Sequence, residues 1–142
     1  MFKQLEQRYL FSNRKCYIMA ILNLQDSATE EIIWQKGLKV DGYDPDRYRQ
    51  DYSGAWIARN AYGDRESILG WEYDHVYPKA KGGTDDEINI RPINWHNNLS
   101  KGDSYPEYVA AVTSEDNKNV MKETRCTVGK QLQEKLKELY GL

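Results

Sequence analysis

Cysteine is scarce in this chain. Cys16 and Cys126 are the only two, and neither belongs to a C-x-x-C pair. That excludes a four-cysteine zinc site and a disulfide-dense scaffold, and it favours a reduced, cytoplasmic setting with both thiols unpaired. Long hydrophobic runs are missing as well. The apolar stretch Tyr17 to Leu24 falls far short of the ~20 residues of a membrane span, so no membrane partner is expected. Arg14 and Lys15 precede it in the manner of a secretion signal, but Asn23 and Gln25 end it and no small-residue cleavage site follows. It reads as a buried strand or helix segment, with Met19 as an alternative start. An excess of positive charge is also absent, since the formal net charge is -2 and the pI about 5.7. A dedicated nucleic-acid binder is usually more basic, so bulk charge lends that class no support. A local patch and a metal ion can still offset a neutral whole. There are no internal repeats and no low-complexity tracts.

What is present points to one folded domain. A chain of 142 residues suits a single core that buries about two-thirds of the unfolded surface. Hydrophobic content of 39% with a mean hydropathy of -0.85 predicts a modest core and long loops. Eleven tyrosines and four tryptophans argue against wholesale disorder.

The elements alternate in the manner of an α+β fold. Asp26-Ser27 can cap a helix over about Thr29–Lys36, with Glu30 and Glu31 in its first turn and Gly37 as its stop. Lys39 to Tyr43 reads as extended, Asp44-Pro45 opens a turn or short helix to about Gln50, and Ala55 to Ile57 is a short apolar element. Trp71 to Val76 has strand composition, and Pro78 to Ile88 is a loop rich in Gly, Lys and Asp. Ile90 to Ile93 is a second strand that tolerates Pro92 only at an edge or a bulge. Asn94 to Ser100 is a short helix stopped by Gly102, Tyr108 to Val112 is strand-like, and Ser114 to Lys122 is loop. Leu132, Leu136, Leu139 and Tyr140 recur at helical spacing, which predicts an amphipathic helix over Lys130–Tyr140 that docks on the core or joins two copies.

Two strands, a loop and a helix in that order make a ββα hairpin, which gathers residues distant in sequence. His75 would end the first strand and Asn98 would sit on the helix. Phosphodiester cleavage needs an activated water, neutralisation of the phosphate and help for the departing oxygen. A neutral imidazole suits the first task and a hard divalent ion the others. Magnesium retains several waters, so the carboxylate of Asp74 and the amide oxygen of Asn98 suffice as protein ligands. Their hardness favours Mg²⁺ or Mn²⁺.

The run Trp71-Glu72-Tyr73-Asp74-His75-Val76, the Gly82-Gly83 loop, Asn89, Asn98 and Lys101 together resemble the ββα-metal motif of HNH endonucleases, in the family's order. A weaker resemblance to a small bacterial or phage single-domain subgroup reaches back to about Trp34. The resemblance implies a DNA endonuclease with His75 as general base and Asp74 and Asn98 as ligands of one divalent ion. It implies that Asn89 ties the loop and orients His75, and that Lys101 contacts a phosphate. Many relatives hold a structural zinc on two Cys pairs; here Asn94 and Asn97 stand at corresponding places, so no structural zinc is expected.

Other residues can join such a site. Glu72 would share a strand face with Asp74. Asn94 would share a helix face with Asn98 and either supports the metal or caps the helix. Lys79, Lys81 and Arg91 form, with Lys101, a basic cluster for phosphate. His96 points away from Asn98. The domain division expected is an N-terminal extension over 1–25 packed on the core, an HNH domain over 26–113 with its motif at about 70–103, and a C-terminal loop and helix over 114–142. The alternatives are a non-cleaving nucleic-acid-binding module, and an accessory subunit of a phage or restriction assembly that works with a protein partner or as a homodimer.

Overall fold

The computed structural model describes residues 5–12 and 15–142, with side chains from Ala20 onward. The expectations for the Cys16 thiol and for the packing of side chains before Ala20 lie outside the described residues. Strands β1 (Leu5–Ser12) and β2 (Lys15–Leu22) pair as an antiparallel hairpin. The hairpin joins the body where Leu22 N donates to Asp85 O at 2.9 Å. Helix α1 (Ser27–Trp34) starts at Asp26, whose side chain accepts from Ala28 N. Its inner face is Thr29, Ile33 and Trp34.

Strands β3 (Tyr48–Gln50) and β4 (Trp56–Ala58) pair antiparallel. So do β5 (Trp71–His75) and β6 (Ile90–Asn94), with Asp74 opposite Arg91 and His75 opposite Ile90. Helix α2 (Trp95–Lys101) follows β6 directly. The second half holds β7 (Glu107–Glu115), β8 (Lys118–Thr127) and helix α3 (Lys130–Tyr140). The class is α+β, and every named strand belongs to a two-stranded sheet. Pro92 is tolerated in β6 because that strand has one partner and its other side needs no donor. Among the described residues no helix is long and apolar enough to cross a membrane.

Two expectations are corrected. Residues 39–43 are not extended: only Leu38 bridges Gln50, and the chain then turns through Gly42 at φ 88°. Residues 114–122 are not a loop. They form the distal half of the β7–β8 hairpin, with Glu115 paired to Lys118 across a two-residue turn. Asp116 takes φ 51° there, the left-handed geometry that a tight hairpin turn demands.

Two apolar clusters carry the fold. Leu22, Ile33, Trp34, Ile57, Trp71 and Ile90 form one, with Tyr73 against it. Val76, Tyr108, Ala110, Val128 and Leu136 form the other, with Tyr77 and Tyr140 against it. The β5–β6 hairpin contributes to the first cluster, and the chain enters the second one residue past β5. The loop between the two strands is therefore fixed at its base by packing.

Candidate active site

The loop from Tyr77 to Asn89 is closed by one side chain. Asn89 is fully buried. Its Oδ1 accepts from Tyr77 N at 2.7 Å, and its Nδ2 donates to Tyr77 O at 3.0 Å and Thr84 O at 3.1 Å. Both ends of the loop are thus tied by an amide that satisfies backbone groups left over where β5 and β6 part. Gly83 permits the closure, because a Cβ there would sit 1.8 Å from Tyr77 O. Gly82 takes φ 109°, a conformation that side chains disfavour.

Alternation along β5 sends Glu72 and Asp74 toward α2. They meet residues one helical turn apart, Asn98 and Lys101. Asn98 Nδ2 donates to Glu72 Oε1 at 3.0 Å, and Arg65 grips the same carboxylate at 2.7 and 3.0 Å. Burial alone would raise the Glu72 pKa, but the bonds from Arg65 and Asn98 outweigh it and hold the carboxyl below its ordinary value. The bond also fixes the Asn98 amide. Its Oδ1 accepts no hydrogen bond among the described residues.

Asp74 lies deeper, with its side chain 2% exposed. Its Oδ2 pairs with Arg91 Nε at 3.2 Å and its Oδ1 with Lys101 Nζ at 3.1 Å. Lys101 also donates to the backbone oxygens of His75 and Val76. Here the structure departs from the expected phosphate cluster. Lys101 is 1% exposed at its side chain and Arg91 is 8% exposed, so both cations are spent inside the protein. Arg91 reaches on to Tyr108 Oη and stacks over Tyr52. Lys79 and Lys81 are exposed on the loop.

His75 ends β5 on the opposite face from Asp74. Its Nε2 lies 2.8 Å from Asp85 Oδ1, and Lys79 Nζ lies 3.3 Å from the same oxygen. Burial would raise the Asp85 pKa, but the bonds from His75 and Lys79 prevail and hold it low. A cleft of about 190 Å³ is bordered by Tyr73, Asp74, His75, Lys79, Asn98 and Asp103. Asp85 and Asp103 carried no signal in the sequence. Asp85 lies in the loop with the acids Asp86 and Glu87, and Asp103 directly follows Gly102.

The remaining candidates fall outside the cleft. Asn94 is fully buried and caps α2, its Oδ1 accepting from His96 N and its Nδ2 donating to Ile68 O. It therefore supports the helix and offers nothing to a ligand. His96 stacks on Trp95, and burial lowers its pKa.

The oxygen donors of the cleft fit a hard divalent ion. Asn98 Oδ1 is unengaged, and a carboxylate with about four acceptor sites can serve Arg91, Lys101 and a further cation. Among the described residues no group of three or more His, Cys, Asp or Glu is placed to hold a metal. Any ion here would rest on Asp74 and Asn98, with Asp103 at the rim. Comparison of the chain with protein-family models, curated proteins and solved structures gives no match.

Proposed function

We propose that the chain is a metal-dependent DNA endonuclease of the HNH type, acting in a reduced, cytoplasmic setting, with β5, β6 and α2 as its ββα-metal core. One observation carries this: Asp74, His75 and Asn98, the three residues that the family resemblance names for chemistry, border a single cleft. One Mg²⁺ or Mn²⁺ on Asp74 and Asn98 would supply charge neutralisation at the phosphate and the leaving oxygen. His75 takes the proton from the attacking water. Glu72, held by Arg65, fixes the Asn98 amide by accepting from its Nδ2. Lys79 and Lys81, exposed on the loop, would meet flanking phosphates. Plasmid DNA incubated with Mg²⁺ or Mn²⁺ should be nicked, and His75→Ala should slow nicking by at least about a hundredfold, the contribution of a positioned base. Full cleavage by His75→Ala would refute this assignment.

The occupation of both Asp74 oxygens by internal cations favours a second reading, a nucleic-acid-binding module that does not cut. Binding of DNA by the wild-type chain without nicking in either metal would select it.

A further inference from the structure

We infer that Asp85 is the positioning residue of His75, and that the C-terminal helix holds it in place. The inference rests on the nuclease reading for its catalytic consequence, but its geometry stands apart from it. A neutral imidazole has one N–H and one bare nitrogen, and which nitrogen is bare depends on the partner of the other. Asp85 Oδ1 lies 2.8 Å from His75 Nε2 and also receives Lys79 Nζ at 3.3 Å. An ionised carboxylate only accepts, and the lysine beside it favours that state. The proton of neutral His75 therefore sits on Nε2, and Nδ1 keeps its lone pair. Nδ1 has no hydrogen-bond partner among the described residues, and His75 borders the cleft. Nδ1 is thus the atom that takes the proton from water. Once the imidazolium forms, Asp85 offsets its charge.

Asp85 would be a poor director if its loop were loose, but the loop is fastened on both sides of it. Asn89 Nδ2 holds Thr84 O, and Asp85 O accepts from Leu22 N. The hydroxyl of Tyr140, in the last turn of α3, accepts from Thr84 N at 3.1 Å and lies 2.9 Å from Thr84 Oγ1. The Tyr140 ring stacks on Tyr77 with centroids 5.2 Å apart. A connected path therefore runs from α3 through Tyr140 and Thr84 to Asp85 and His75. This gives the C-terminal helix a task at the cleft in addition to burying Leu136.

The test reads the tautomer directly. Long-range proton–nitrogen NMR of the neutral imidazole should show His75 of the wild-type chain as the Nε2–H form. The only other histidine is His96, so His75→Ala assigns the signals. Asp85→Asn should move His75 toward a tautomer mixture, and Tyr140→Phe should do so partly. A wild-type His75 that is mainly Nδ1–H, or one unmoved by Asp85→Asn, overturns the inference. In cleavage assays Asp85→Asn should lower kcat roughly tenfold to a hundredfold with KM little changed, a part of what a positioned base contributes, and Asp85→Glu should recover part of it. Unchanged kcat in Asp85→Asn also overturns it. A wild-type chain that shows the Nε2–H form but never cuts DNA leaves the clasp standing and defeats the nuclease reading alone.

Discussion

Lys101 shows how depth changes the meaning of a charged residue. The family resemblance implies a phosphate contact for Lys101. Here it lies under the helix, with Asp74 and two backbone oxygens as its acceptors. An ammonium that has lost its water needs such partners, since burying it unpaired costs far more than the pair returns. Its removal should therefore be felt in the fold. Lys101→Met, which keeps the stem and deletes the charge, leaves His75 O and Val76 O without a donor. It should cost about 3 kcal/mol, at the lower end for breaking a buried pair. Urea unfolding followed by tryptophan fluorescence measures this. Wild-type stability combined with weakened DNA binding would instead return Lys101 to the role of a phosphate contact.

At the scale of elements, the strand–strand–helix unit rests on a hub centred on Asp51. This fully buried carboxylate accepts Ser53 N and Ala55 N on one oxygen, and Asn94 N and Asn97 Nδ2 on the other. Asn97 then meets β7 where its register with β8 shifts between Ala110 and Val112. Its Oδ1 accepts from Ala111 N and Val112 N, and its Nδ2 also donates to Val112 O. A bulge leaves backbone groups without ladder partners, and this side chain supplies them. Asn97→Ala should lose about 3 kcal/mol, on the order of two unsatisfied buried groups, with the loss visible in urea titration. Strands β5 and β6 and helix α2 were legible beforehand because apolar residues, an Asn cap and a Gly stop are local signals. The distal β7–β8 ribbon was not. Thr113, Ser114, Lys118 and Asn119 show no alternation, and the pairing is set by a turn and by Asn97 from a distant element. The Asp51 hub was silent for the same reason: an acid among interleaved charges looks solvated until the fold closes around it. At the cleft, the sequence singled out Asp74, His75 and Asn98 through the family pattern. The partners that decide their state, Asp85, Arg91 and Lys101, depend on loop closure and burial that no spacing encodes.

At the scale of the whole molecule, a net charge of -2 has to be reconciled with the polyanionic substrate that we propose. With Arg91 and Lys101 turned inward, Lys79 at the border of the cleft and Lys81 two residues on in the same loop face solvent, whereas half-exposed Arg65 is engaged by Glu72. Lys79 keeps its side chain 60% exposed despite its contact with Asp85. Association should therefore be weak and only shallowly dependent on salt, because each neutralised phosphate adds about 0.9 to the slope of log K against log salt. Lys79→Ala and Lys81→Ala should each flatten that slope by about 0.9. Folded Lys101→Met protein should leave it unchanged. Fluorescence anisotropy with a labelled duplex, using the His75→Ala chain without divalent ion, separates binding from cleavage. A slope that responds to Lys101 but not to the loop lysines would mean that α2 opens on the DNA and releases Lys101 from Asp74. Asp74 Oδ1 would then be free to take a metal ion, with Oδ2 still held by Arg91.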